Sequence, residues 1–153
     1  MDELFFTEEH VMLRDMVRDF AKNEVAPVAR ELDRLGKFPK DLIKQMGELG
    51  LMGIPIPEKY GGSGMDTVAY ATAVLELAKV DASVAITMAA HTSLGTVPIV
   101  LAGTDEQKEK YVPQLASGAI LGAFGLTEPG AGSDSGATQT TAVKNGNGFV
   151  VNG

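Results

Sequence analysis

Apolar residues recur at helical spacing through the first part of the chain and give way, after Gly118, to a glycine-rich and alternating texture. Thr7 precedes Glu8 and Glu9, a helix start with acids in its first turn. Val11, Leu13, Met16, Val17, Phe20, Ala21 and Val25 then form one buried stripe, with Arg14, Arg18 and Lys22 on another face. Pro27 lacks a donor N–H and is expected to bend or end this helix, and Gly36 marks the stop that follows. Pro39 suits the first turn of a second helix with Leu42, Ile43, Met46 and Leu49 inward and Gly50 at its end. Ile54-Pro55-Ile56-Pro57 is expected to be extended, because proline disfavours helix at the residue before it. Tyr60–Gly64 is a loop, Asp66 or Thr67 caps a third helix to about Lys79, and Asp81 caps a fourth to about Leu101. Thr104-Asp105-Glu106-Gln107 matches a capping box and opens a fifth helix ending near Ser117-Gly118.

Beyond Gly118 the reading changes period. Ala119–Gly125 is short and apolar and is expected to be a strand; Thr127–Gly136 is a glycine-rich loop; Thr138–Lys144 alternates as a strand does. Asn145-Gly146-Asn147-Gly148 is a hairpin turn signal, and Phe149-Val150-Val151 begins the returning strand. The predicted fold class is mainly α: a helical domain of about five helices over residues 1–118, then the first strands of an incomplete β-barrel-like domain over 119–153. Two or three strands do not make a stable sheet domain alone, so this second part is expected to be unfinished.

Composition narrows the function classes. A formal net charge of −7, with no basic cluster longer than the interrupted Lys108–Lys110, argues against a nucleic-acid partner. The absence of cysteine excludes disulfides, thiolate metal sites and cysteine nucleophiles. Met1-Asp2-Glu3 lacks the basic-then-apolar pattern of a secretory signal, so a cytoplasmic location is expected. The uncharged run Ala82–Gly103 contains Ser83, Thr87, His91, Thr92, Ser93, Thr96 and Pro98, which reads as one or two buried helices rather than a membrane span.

The densest candidate chemistry is Gly125-Leu126-Thr127-Glu128-Pro129-Gly130-Ala131-Gly132-Ser133-Asp134. Pro129 stiffens the backbone, while Gly130 and Gly132 are expected to permit positive φ and close approach of a ligand. Successive N–H groups in such a loop can form an anion nest, and Thr127 and Ser133 add hydroxyls. This chemistry suits a phosphorylated, heteroaromatic cofactor; a plain surface loop joining two strands is the alternative. The spacing of Gly130, Gly132 and Gly136 is wrong for a dinucleotide fingerprint, no Gly-Lys-Ser/Thr follows as in a P-loop, and Asp134 stands where a nucleophile elbow needs serine.

The string Leu126–Asp134 closely resembles the flavin-binding signature of the acyl-CoA dehydrogenase family. Phe20–Pro27 resembles the family's first helix, Leu49–Ile54 followed by Tyr60–Gly64 its next landmark, and Gly103–Lys108 with Lys110-Tyr111 and Pro113–Leu115 its fifth-helix region. The resemblance implies an FAD-dependent enzyme that desaturates an acyl-CoA thioester between its α and β carbons. A glutamate base removes the α-proton while hydride passes to the flavin. By motif, Phe124, Leu126, Thr127, Gly132 and Ser133 would contact FAD, and Ser133 would also lie close to the acyl-CoA. Phe124 departs from a tyrosine found in some relatives, losing a hydroxyl and keeping an aromatic face. None of the 20 acidic residues matches the family's base, so no catalytic residue is expected in this chain. The resemblance further implies a homotetramer that passes electrons to an electron-transfer flavoprotein.

Three other groups could carry chemistry. Glu128 is read as structural, His10 as exposed in a first helical turn, and His91 as a hydrogen-bonded core histidine, with a pocket role the sharper alternative. No metal site is expected. A non-catalytic helical binding or assembly fragment is the second reading, motivated by the missing base and the unfinished sheet; an acyl-CoA oxidase is a variant of the first.

Overall fold

The computed structural model describes residues 6–153, so the expectation built on Met1-Asp2-Glu3 lies outside the described residues. The described residues divide into two compact units, one running up to Ala123 and the other Phe124–Gly153. The division falls later than the boundary expected at Gly118.

In the first unit, α1 (Glu8–Phe20) continues through a π segment, Ala21–Val25, into α2 (Ala26–Leu35). After α3 (Lys40–Glu48) and α4 (Thr67–Ala78), α5 (Ala82–Ala90) likewise continues through a π segment, His91–Thr96, into α6 (Val97–Ala102); α7 (Asp105–Ala116) follows. Pro27 therefore neither ends the first helix nor leaves its backbone unpaired. Each π segment closes on a bond reaching back one residue further than in an α-helix, Ala26 N–H to Ala21 O and Val97 N–H to Thr92 O. A proline, Pro27 or Pro98, is the second residue of each resumed helix. The wider turn moves aside the carbonyl that a proline ring would strike, so the rod survives its proline.

The caps fall where the pattern puts them. Thr7 accepts from His10 N–H, Asp66 from Ala69 N–H, Asp81 from Val84 N–H and Thr104 from Gln107 N–H. Gly36 closes α2 with φ +60, and Lys37 N–H returns to Leu32 O at 3.0 Å.

The core gathers Val17, Phe20 and Val25 from the first rod, Ile43 and Met46 from α3, Leu51 and Met52, Ala73 and Leu77 from α4, and Val84 and Met88 from α5. Helix α4 packs against both α1 and α5. It is apolar on most of its surface, as a helix between two others must be. The expected extended Ile54–Pro57 is instead a tight turn, with Ile54 in the right-handed helical region. Tertiary packing decides this: Ile54 and Ile56 are both buried, and their carbonyls accept from Met65 and Gly64 N–H. Gly62 is obligatory there, since a Cβ would stand 2.0 Å from Ile56 O.

Ala82–Ala102 is long and apolar enough to cross a membrane by length and composition. It also buries three polar side chains, His91, Thr92 and Thr96, each hydrogen-bonded within the protein. Those bonds suit a helix packed inside a protein better than one facing lipid.

The second unit holds β1 (Thr141–Asn145) antiparallel to β2 (Gly148–Asn152), with Asn145 opposite Gly148. Gly146 opens the two-residue turn with φ +58, a left-handed position suited to glycine. Every residue of both strands is exposed, Phe149 and Val151 among them.

Candidate functional site

The expected strand at Ala119–Gly125 does not form; after the turn at Ser117-Gly118 the chain has no regular structure up to Thr127. Its backbone donors go elsewhere. Ile120 N–H bonds Gln114 O at 3.2 Å, and Gly122 N–H donates to the imidazole Nδ1 of His91 at 2.9 Å. On the other side of the ring, His91 Nε2–H donates to Leu115 O at 3.0 Å. His91 is 1% exposed, and burial pushes its imidazole below the usual value, opposed by the hydrogen bond to Leu115. With one nitrogen accepting and the other donating, the neutral Nε2–H tautomer satisfies both bonds. His91 is thus a core histidine that holds the segment leading to the glycine-rich loop.

That loop belongs to the second unit. Glu128-Pro129-Gly130-Ala131 is a tight turn closed at both ends: Glu128 N–H donates to Ala131 O and Ala131 N–H to Glu128 O, each at 3.1 Å. These two donors are therefore not available to an anion. The Glu128 carboxylate reaches across the loop, accepting from Gln139 N–H at 2.8 Å, Thr140 N–H at 3.0 Å and the Thr140 hydroxyl. The backbone bond from Gln139 and the bonds from Thr140 hold its carboxyl below the usual glutamate range. Glu128 is a brace between the loop and β1's approach, as the sequence reading had it.

Phe124 and Leu126 are 53% and 46% exposed, and Thr127, Gly132 and Ser133 are exposed too. Gly125, Gly130 and Gly132 do not adopt positive φ, contrary to expectation for Gly130 and Gly132. Nor does a neighbour explain them, since a Cβ at any of the three meets nothing within 4 Å. An exposed aromatic face, an apolar side chain, two hydroxyls and bare backbone are the groups a flavin ring system would use, so the residues fit one side of FAD.

His10 is not exposed as expected but 7% exposed, lying on the stripe with Leu13, Val17 and Phe20. Its Nδ1 accepts from Thr7 N–H at 3.1 Å, and its Nε2 lies 2.9 Å from Asp66 Oδ1, the oxygen that also caps α4. The backbone bond from Ala69, then the one from His10, keep the Asp66 carboxyl below its ordinary value. The signal was in the sequence: the spacing from His10 to Leu13, Val17 and Phe20 is that of one helical face. Glu76 is a second missed group, buried on α4 and paired with Arg18 at 3.1 Å and Lys79 at 2.6 Å. Burial raises its carboxyl and the two cations outweigh that, leaving it below the usual range. Among the described residues no three His, Asp or Glu side chains converge as metal ligands do.

Comparison with known proteins agrees with the motif order. Residues 7–119 match the model of the acyl-CoA dehydrogenase N-terminal domain. A Bacillus subtilis (strain 168) protein described as "Probable acyl-CoA dehydrogenase YngJ" is 56% identical over 96% of this chain, and the chain spans 39% of that relative's length. Butyryl-CoA dehydrogenase from Megasphaera elsdenii superposes with a TM-score of 0.90 at 45% identity, over 97% of this chain and 40% of the other. An acyl-CoA dehydrogenase from Bacillus anthracis, solved in complex with FAD, superposes with a TM-score of 0.89 at 44% identity, over 97% and 26% of the respective chains. A helical unit of this form, carrying these motifs in this order over nearly its whole length, makes the chain a member of the acyl-CoA dehydrogenase family.

Proposed function

We propose that this chain is the N-terminal part of an FAD-dependent acyl-CoA dehydrogenase that introduces a double bond between the α and β carbons of an acyl-CoA thioester. The observation that carries the reading is the Leu126–Asp134 loop: it is braced from within by Glu128, yet its apolar, hydroxyl and glycine positions are exposed, as is Phe124 just before it. When bound, FAD supplies the hydride acceptor. The protein's part is orientation. Phe124 offers an aromatic face, Leu126 an apolar contact, Thr127 and Ser133 hydroxyl donors, and Gly132 a backbone that the cofactor can approach. Ser133 also borders the acyl-CoA. Phe124, with no hydroxyl, holds the ring by packing alone.

The α-proton is removed by a carboxylate outside these residues. Glu76 is held by Arg18 and Lys79, and Glu128 by Gln139 and Thr140, so neither is poised as a base. The similar protein from Megasphaera elsdenii is a butyryl-CoA dehydrogenase, which favours a short acyl chain here. An electron-transfer flavoprotein as oxidant, a homotetramer and a cytoplasmic location complete the proposal. So does a division into an N-terminal helical domain, residues 1–118, and the start of a middle β domain from 119.

The test is made on the protein at its natural length. It is expected to purify with a flavin absorption spectrum that bleaches when butyryl-CoA is added without oxygen. A flavin spectrum unchanged by acyl-CoAs of every length tried would overturn the reading.

A further inference from the structure

Three Asn-Gly steps lie close together in the second unit: Asn145-Gly146, Asn147-Gly148 and Asn152-Gly153. An Asn-Gly step is prone to lose ammonia, because glycine carries no side chain to hinder its nitrogen from approaching the preceding amide carbon. In sequence the three steps are equivalent, and the hairpin makes them unequal. Residues 146 and 147 form a hydrogen-bonded turn that places Asn145 opposite Gly148 and closes on the bond from Gly148 N–H to the Asn145 carbonyl. The Gly148 nitrogen is therefore engaged. Asn152 is held in the ladder opposite Thr141, and Gly153 sits against the side chain of Thr140, which is itself bonded to Glu128. Gly146 differs from both. It is exposed, a Cβ there would meet nothing within 4 Å, and among the described residues no backbone carbonyl accepts its N–H.

We propose that Asn145 is a site of spontaneous deamidation. The Gly146 nitrogen, having lost its proton, bonds to Asn145 Cγ, the Cγ–Nδ2 bond breaks, and Nδ2 leaves as ammonia with that proton. The product is a five-membered succinimide. Water then opens the ring. Cleavage between the nitrogen and Cγ gives aspartate, and cleavage between the nitrogen and the main-chain carbonyl carbon gives isoaspartate. Aspartate keeps the path of the backbone and adds one negative charge. Isoaspartate routes the main chain through Cγ and lengthens it by one carbon at the residue that closes the hairpin, which breaks the register of Asn145 with Gly148. Neither step involves a cofactor or an acyl-CoA, so the site is independent of the activity proposed above.

The natural-length protein is incubated at mildly alkaline pH, folded in one sample and unfolded in guanidinium in another, and both are followed by peptide mapping with mass spectrometry. Deamidation reads as a gain of about 1 Da, with aspartyl and isoaspartyl peptides eluting separately. In the unfolded chain the three steps are expected to react at similar rates. In the folded protein the turn bond that Gly148 N–H must give up is worth up to about tenfold in rate, so Asn145 is expected to react about tenfold faster than Asn147. Asn152, packed beside Thr140, is expected to lag as well. The rate at Asn145 should rise with pH, since the attacking nitrogen must first lose its proton. Asn145→Gln, which would need a six-membered ring, should abolish the gain at this position.

Asn147 or Asn152 reacting as fast as Asn145 in the folded protein would overturn the assignment. So would an Asn145 that stays intact while the unfolded chain reacts to completion, or a rate at Asn145 that does not change with pH.

Discussion

Gly95→Ala tests a close backbone-to-backbone approach in the helical unit. The added Cβ would lie 2.5 Å from Gly122 Cα, 2.6 Å from its carbonyl carbon and 3.0 Å from Ala123 N. All three are backbone atoms, so no flexible side-chain end can swing aside. Restoring ordinary contact needs the Gly122 segment, half-buried at Gly122 and exposed at Leu121 and Ala123, to withdraw by about 0.9 Å from the buried Gly95. A shift of that size takes the 2.9 Å bond from Gly122 to His91 beyond hydrogen-bonding range. Overpacking costs about 1–3 kcal/mol and the lost bond about 1 kcal/mol. Against this, alanine is the better helix former by about 1 kcal/mol. The steric and hydrogen-bond terms win, leaving a net destabilisation of about 1–3 kcal/mol. Thermal unfolding followed by circular dichroism at 222 nm should show a Tm several degrees below wild type. Gly130→Ala is the control: its Cβ meets nothing within 4 Å and its φ is not positive, so the flavin-free protein should melt as wild type does. A Gly95→Ala protein as stable as wild type, or more so, would show that helix propensity dominates and that the contact is looser than described.

Two further outcomes follow from the ionic groups. Glu76→Gln is expected to cost about 1–2 kcal/mol at neutral pH, because the amide cannot serve both Arg18 and Lys79. Since the folded protein holds this carboxyl below its ordinary value, its stabilisation is present above the unfolded value and lost as pH falls through the folded one. Urea midpoints measured from pH 7 down to 3 should therefore fall less steeply in Glu76→Gln than in wild type, and parallel curves would contradict the pairing. Glu128→Ala removes the acceptor for Gln139 and Thr140 and should speed limited proteolysis within residues 124–140 while the helical Tm holds. Cleavage at the wild-type rate would mean that the carboxylate does not brace the loop.

Much of this molecule was decided locally and could be read without its fold. The caps at Thr7, Asp66, Asp81 and Thr104 bond N–H groups within their own first turns, so a short stretch of sequence specifies them. The hairpin at Gly146 is likewise set by turn chemistry, and the glycine-rich loop was recognisable because its string is contiguous. What failed were expectations in which a distant partner outweighs local preference. Ile54 is helical before a proline because Met65 and Gly64 take up the turn's carbonyls. Ala119–Gly125 is no strand because an imidazole thirty-one positions earlier takes the Gly122 N–H. Pro27 leaves its helix whole because the preceding turn widens. The brace from Glu128 to Thr140, the pair of His10 with Asp66, and the twofold bonding of His91 all join residues that no single window of sequence contains. Local periodicity and turn chemistry determine which elements form, because their energies come from neighbours along the chain. Which polar atoms meet across those elements, and so what holds the loop in place, is decided only when the helices pack and buried donors must find acceptors.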